Sequence, residues 1–477
     1  MKSFYWHDYE TWGINPAVDR PSQFAGVRTD EDLNIIGDPL IVYCKPPEDI
    51  LPNPEACLVT GISPQLALEK GLPENEFVKA IYRELARPKT CSVGYNSIRF
   101  DDEVTRYSLY RNYYDPYERE WRNGNSRWDI IDMVRLCYAL RPEGIEWPMV
   151  EGKPSFKLEN LTVANGIAHA DAHDAYSDVA ATIEMARLVR AKQPALYDYV
   201  LKNKSKAAAA KLIDLKNRKP LFHISSKFPS ENGCAGLIVP LAGHPTNKNA
   251  VIVYNLSVDP APLAALSADE ISERIFTAQS DLPEGVERLP IKMVHLNKCP
   301  VLAIPKILDE VAAKRLKIDK AQCEENWQKI LRMDLVGKLQ TVFSNNNFAG
   351  DDDPETQLYD GFIGDRDKAL MQELRNASVS ELSSRTFIFE DARLNAMLLR
   401  FRARNHPQSL SEGEKKEWHE FVRERLLSGG KGRLSFADLQ GKITQYLAEN
   451  TANPGKCRVL NELRAYCSDL AGKYSLT

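Results

Sequence analysis

Three short patterns in the amino-terminal part of the chain carry side chains able to work on a phosphate. The first is Asp8-Tyr-Glu10. Residues two apart on a strand point to the same face, so both carboxylates can hold one cation or bridge two. The spacing recurs at Asp101/Glu103 and Asp353/Glu355, and a solvated edge pair would look the same. Position sets the first pair apart. Asp8 and Glu10 lie in an aromatic-rich run, 4–12, suited to an inner strand, where two carboxylates are costly to bury unless a cation neutralises them.

The second pattern, Gly94-Tyr-Asn-Ser-Ile-Arg-Phe-Asp101, reads as a strand end, a loop and a helix start. Asp101 fits a helix N-cap, and it equally fits a metal ligand brought in from a second segment. The third is His173-Asp-Ala-Tyr-Ser-Asp178, with His169 and Asp174 at the same spacing. Within one helix five residues turn about 140°, so His173 and Asp178 would not share a face. That suits a histidine aimed at a water and an aspartate aimed at a metal, although a capping or surface histidine has the same spacing. Four oxygen ligands favour Mg²⁺ or Mn²⁺ over zinc, and a single histidine fits a base working near neutral pH. Two ions about 4 Å apart are a recurring arrangement for attack on a phosphodiester.

The elements that must hold these residues alternate short strands with helices. Strands are expected over 4–12, 40–44 and 92–95, and helices over 73–87, 101–113 and 128–140. A long helix follows His173, with Val179, Ile183, Ala186 and Val189 inward. This is an α/β domain, assigned to 1–200. Lys202, Lys204, Lys206, Lys211, Lys216, Arg218 and Lys219 then face a single acid, Asp214. They form either a solvated connecting helix or a phosphate-tracking surface. β-type runs at 221–225, 236–240, 250–255 and 291–296 mark a small strand-rich domain, assigned with the basic linker to 201–350. The remainder, 351–477, is helical, with breaks at Asn405-His-Pro407, Gly429-Gly430 and Asn453-Pro-Gly455.

Composition agrees with several packed cores: 477 residues, 43% hydrophobic and 27% charged, which excludes a disordered chain, a fibrous repeat or a small disulfide scaffold. Sixty-two basic against 66 acidic residues leave a net charge of −4, so a nucleic-acid partner is not announced by the total. Nine cysteines without a CxxC pair read as reduced thiols. No apolar run approaches the roughly 18 residues of a membrane helix, and acidic residues precede any segment able to serve as a signal peptide. A cytoplasmic protein is expected.

The ordered pattern Asp-x-Glu-Thr (8–11), Asn-x-x-x-Phe-Asp (96–101) and His-x-Ala-x-x-Asp-x-x-Ala-Thr (173–182) resembles the DEDDh family of 3′→5′ exonucleases. Ala175 falls where that pattern expects it, which selects His173 over His169. Segments 7–11, 100–106, 125–129, 137–144 and 297–301 resemble the bacterial single-strand DNA exonucleases of the family, and 357–362 and 402–405 match more loosely. The resemblance implies a ribonuclease H-like catalytic domain, an SH3-like middle domain and a helical carboxy-terminal domain around single-stranded DNA. It implies release of 5′-mononucleotides in DNA repair and recombination, with two Mg²⁺ ions (Mn²⁺ able to substitute) on Asp8, Glu10, Asp101 and Asp178. His173 would be the general base, and Glu10 and Thr11 would meet the 3′ end. Lys157 stands where the family has a basic residue near the phosphate, usually an arginine with its bidentate fork. Arg106, Tyr117, Trp121 and Arg135 fit a cationic, aromatic groove, and each also fits a structural role. The resemblance further implies a partner, the acidic, Phe-ending tail of single-stranded DNA-binding protein. Its carboxylate would fall to Arg141, with Tyr199 at the pocket rim, while Arg141 could instead cap its helix. Residues 303–309 depart from the pattern. A monomer is expected. Two other readings keep parts of this: an RNA-trimming or proofreading exonuclease, which the long chain beyond 200 disfavours, and an inactive DNA-end clamp, which the intact acids disfavour.

Overall fold

The aromatic run at the start of the chain forms β1 (Ser3–Thr11), buried along almost its whole length. In the computed structural model, which describes residues 2–169, 174–344 and 352–476, the chain divides into two units. One comprises Met1–Arg127, His169–Ile183 and Gly350–Thr477, the other Trp128–Ala168 and Glu184–Ala349.

In the first unit β1 lies between β2 (Pro21–Thr29), antiparallel to it, and β4 (Thr90–Gly94), parallel to it. β3 (Leu40–Tyr43) and β5 (Ser126–Asp129), the strand on which the chain leaves this unit, complete the order β3-β2-β1-β4-β5. Alternation along β1 sends Tyr5 and Tyr9 into a core with Phe24, Phe77, Ile81, Val104 and Leu109, supplied by β2 and by the helices Glu74–Leu85 and Asp101–Arg111. Asp8 and Glu10 therefore take the other face. β1 also outruns its neighbour, because β4 pairs only with Ser3–Trp6. The last residues of β1 overhang the carboxyl end of β4, where ligands collect in sheets of this kind. The turn out of β4 requires Gly94: a Cβ there would lie 2.5 Å from Ser97 Cβ and 3.1 Å from the His7 carbonyl oxygen.

Six helices between Asp365 and Tyr474 pack on this sheet domain. One shared core joins Trp12, Cys57 and Ile62 to Leu439, Ile443, Leu463 and Leu470, and another joins Tyr107, Tyr110 and Tyr113 to Leu374, Met397 and Phe401. Between them runs a buried ionic network. Asp49 meets Arg404 at 2.6 Å and Arg425 at 2.9 Å, Glu355 meets Arg20 at 2.9 Å, and Asp353 meets Arg400 at 2.6 Å and Arg433 at 2.5 Å. Burial alone would raise Asp49, but Arg404 and Arg425 overcome it and hold the carboxyl at about 2.

The second unit holds an antiparallel sheet in the order β11-β10-β9-β8-β12, preceded by a small hairpin of β6 (Met149–Val150) and β7 (Lys153–Pro154). Its strands are β8 (Leu221–Ile224), β9 (Ala235–Gly243), β10 (Ala250–Asn255), β11 (Ile291–His295) and β12 (Leu302–Ala303). Within the basic linker the helix Lys206–Leu212 sets Ala209 and Leu212 into the core of this sheet and leaves Lys206 and Lys211 exposed, as Lys202 is at the end of the preceding helix Pro194–Asn203. All nine cysteines are free. Among the described residues no helix is long and apolar enough to cross a membrane.

Candidate active site

The helix Ala175–Lys192 brings Asp178 to the overhanging end of β1. One carboxylate oxygen each from Asp8, Glu10 and Asp178 lies within 4.8 Å of the others. Among the described residues no lysine or arginine forms an ion pair with Asp8 or Glu10. The electrostatic result is severe. Burial raises Asp8 well above the ordinary carboxylate range, and the charges of Asp101, Glu10 and Asp178 raise it further. Glu10 is pushed up to about 9, by burial first and then by Asp178 and Asp101. Hard oxygen donors crowded together at a largely buried strand end fit a divalent cation.

Asp101 begins its helix without capping it. Its Oδ1 accepts a hydrogen bond from the Tyr9 amide at 3.1 Å, on the stretch of β1 that β4 does not reach. Its neighbour Asp102 is built into the opposite environment, gripped by Arg119 at 2.5 Å and Arg127 at 2.9 Å. His173 lies outside the described residues. His169 is almost fully buried, with Nε2 2.6 Å from Asp178 Oδ1. Thr11 follows a bulge in β1, and its hydroxyl donates to the Gly13 carbonyl at 2.6 Å.

The proposed DNA residues of this unit form a second cluster. Arg106 is buried and committed: Nε and Nη2 donate to Glu120 at 2.7 and 2.9 Å, and Nη1 donates to Glu103 at 2.9 Å. Its guanidinium lies over the Tyr117 ring, 5.4 Å from the centroid. Tyr117 and Trp121 line one pocket of about 180 Å³ together with Phe362 and Lys368. Trp121 is 63% exposed and Phe362 is 91% exposed. Phe362 does not stand out in the sequence, because nothing in its local pattern ties it to Tyr117, whose ring is 6.1 Å away in the fold.

Family models match the whole arrangement. One described as Exonuclease covers residues 5–186, one described as Exonuclease I SH3-like domain covers 204–345, and one described as Exonuclease I C-terminal domain covers 352–470. Exodeoxyribonuclease I of Haemophilus influenzae is 44% identical over 474 residues, spanning 98% of this chain and 99% of that protein. The chain belongs to the exodeoxyribonuclease I family. A moderately thermophilic Exonuclease I from Methylocaldum szegediense matches with a TM-score of 0.95 at 49% identity, over 98% of this chain and 100% of that one. The zinc-bound form of the Escherichia coli ExoI–ssDNA complex matches with a TM-score of 0.94 at 42% identity, over 99% and 100%. The ribonuclease H-like, SH3-like and helical architecture expected from sequence is the one found, and the chain is an exonuclease.

The second unit carries the other residues that resemblance to exodeoxyribonuclease I points to. Lys157 is exposed, with Nζ 3.6 Å from Glu159. Arg135 is buried, donates to Asp132 at 2.7 Å and lies over the Phe156 ring. Arg141 follows the helix Ile131–Leu140, with its side chain 46% exposed and 3.4 Å from Asp309. The Tyr199 hydroxyl donates to the Leu302 carbonyl at 2.8 Å.

Proposed function

We propose that this exonuclease removes 5′-mononucleotides from the 3′ end of single-stranded DNA with the help of two Mg²⁺ ions, Mn²⁺ being able to substitute. The observation that carries the proposal is the convergence of Asp8, Glu10 and Asp178 within 4.8 Å, at the end of a strand where no described lysine or arginine pairs with Asp8 or Glu10. With Asp101 they would hold the ions. When bound, such ions supply a lowered pKa for the attacking water and charge stabilisation at the leaving 3′-oxygen. The chain's residues do the rest. His173 takes the water's proton as general base. Glu10 and Thr11 orient the terminal 3′-hydroxyl, which makes the reaction end-dependent. Tyr117, Trp121 and Phe362 offer ring faces to unstacked bases, Arg106 fixes the first of these rings from beneath, and Lys157 and the exposed linker lysines attract the backbone, with Arg135 buried against Phe156. The Escherichia coli relative seen with single-stranded DNA and zinc supports the same substrate class and a divalent cation.

The test is degradation of a labelled DNA single strand, its duplex and the same-sequence RNA, with Mg²⁺ and with EDTA. Mononucleotides from the single strand alone, and only with Mg²⁺, are expected. RNA trimmed as fast as DNA would replace this reading with an RNA-trimming one, and binding without cleavage would leave a DNA-end clamp. The enzyme would act as a cytoplasmic monomer in DNA repair and recombination. Its partner would be the tail of single-stranded DNA-binding protein, docked with its terminal carboxylate on Arg141 and its ring near Tyr199. A tail peptide should bind Arg141→Ala more weakly than wild type; equal affinity would return Arg141 to a helix-capping role.

A further inference from the structure

Gln23 is 1% exposed and stands on β2 directly opposite Glu10 of β1. A buried amide needs partners for all its polar atoms, and those of Gln23 converge on the head of the helix that carries Asp178. Its Nε2 donates to the Tyr43 hydroxyl at 3.1 Å and to Asp174 Oδ1 at 3.0 Å, and its Oε1 accepts from the Ala175 amide at 3.2 Å. These partners fix the orientation: flipped, the amide would set N–H against N–H at Ala175 and oxygen against oxygen at Asp174. Asp174 passes the constraint on. Its Oδ2 accepts from the Ser177 amide at 3.2 Å, and its carbonyl accepts from the Asp178 amide at 3.0 Å. A continuous line of hydrogen bonds thus runs from the strand facing Glu10 to the backbone of Asp178.

We propose that Gln23 is a positioning residue: it clamps the first turn of the helix Ala175–Lys192 to the sheet so that Asp178 closes the cation site with Asp8 and Glu10. The role rests on the metal-dependent reading above. A clamp is needed because Asp178 and Glu10, ionised together as ligands of a cation must be, repel each other, and an unrestrained helix end would back away. A neutral clamp is needed because a lysine or arginine at the same place would neutralise the site and take over the cation's work. Glutamine holds without charge. It acts through Asp174 and Ala175, as outer partners orient the ligands of a metal.

Two variants test this. Gln23→Met keeps the volume and removes all three hydrogen bonds. Gln23→Glu keeps the acceptor for Ala175 but sets a carboxylate against Asp174. The measurements are the Mn²⁺ concentration for half-maximal cleavage of single-stranded DNA, Mn²⁺ binding by electron paramagnetic resonance, and DNA affinity in EDTA. The half-saturating Mn²⁺ concentration should rise about 10- to 100-fold, more for Gln23→Glu, while DNA affinity in EDTA and kcat at saturating Mn²⁺ stay within about threefold of wild type. A general packing defect would lower all of them together. Tyr43→Phe, which removes only the brace on Gln23, should shift the Mn²⁺ dependence in the same direction by less, and it decides the matter if the Gln23 variants do not fold. A folded Gln23→Met with wild-type Mn²⁺ dependence would overturn the role, as would an unshifted Tyr43→Phe in its place. A wild-type enzyme indifferent to Mn²⁺ would instead remove the metal-dependent reading, and this role with it.

Discussion

Two groups of buried carboxylates in the same unit live in opposite electrical surroundings. Asp49, Asp353 and Glu355 are each met by two or more arginines, and they stay ionised: Asp49 is held at about 2 in spite of its burial. Asp8 and Glu10 face Asp101 and Asp178 with no such partner among the described residues, and Glu10 rises to about 9. The side chains are the same, and the counter-charge differs. Where the chain supplies arginine, the acids bind the carboxy-terminal helices to the sheet. Where it withholds arginine, the missing charge must come from solution. Asp101 and Asp102 repeat the contrast on adjacent residues, one turned to the acid cluster and the other locked by Arg119 and Arg127.

The contrast breaks most visibly at Asp8. Asp8→Ala should lose more activity than the roughly 10²- to 10⁴-fold that a positioned general base contributes, with no loss of melting temperature in metal-free buffer, since a strained charge is removed. Single-turnover cleavage and thermal melting check both halves. His173→Ala should lose about 10²- to 10⁴-fold at neutral pH while DNA binding survives. The wild-type rate should climb through an apparent pKa near about 6.5, and that climb should disappear in the variant.

On the other side of the comparison, Glu355→Ala strands buried arginines and should cost about 3–5 kcal/mol of stability, with turnover per folded molecule retained; denaturant melts and active-site titration separate the two. The pH dependences of stability run in opposite directions. Glu10 is raised from 4.5 to about 9, so the metal-free folded protein keeps a proton there that the unfolded chain has lost, and stability falls as pH rises across that window. Glu10→Gln should flatten this slope. Asp49 is depressed from 3.8 to about 2, so its contribution is complete above the ordinary value and is lost as pH falls toward about 2. The smallest effect belongs to the linker. Charge reversal of Lys202, Lys206 and Lys211 should weaken DNA binding alike for all sequences and flatten its salt dependence, by about one released counterion for each lysine that tracks a phosphate.

Much of this is legible in the chain. β1, the four longer strands of the second sheet and the helix breaks at Asn405, Ser428 and Pro454 follow from alternation and punctuation, which are local. β2 escapes such reading. Its buried residues include Ser22, Gln23 and Arg28, so no alternation shows, and they are tolerated only because distant partners satisfy them: Arg28 reaches Ser3, Thr90 and Glu84. The helix expected from 128 begins at Ile131 because 126–129 are claimed by β5. At the site, the acids are legible as a pattern, but their surroundings are not. That Asp101 bonds the Tyr9 amide depends on β4 stopping short of it, and that Asp102 serves structure depends on Arg119 and Arg127. The Phe362 ring beside Tyr117 is likewise a product of the fold.

Among the described residues, the chain keeps lysine and arginine away from Asp8 and Glu10, which leaves room for a cation. Calorimetric titration of Mn²⁺ into the metal-free enzyme, beside Asp8→Ala and Glu355→Gln, tests for that cation most directly. Saturable binding to wild type and to folded Glu355→Gln, lost in Asp8→Ala, is the predicted result. Equal binding to wild type and Asp8→Ala would mean that the cation does not sit on these carboxylates.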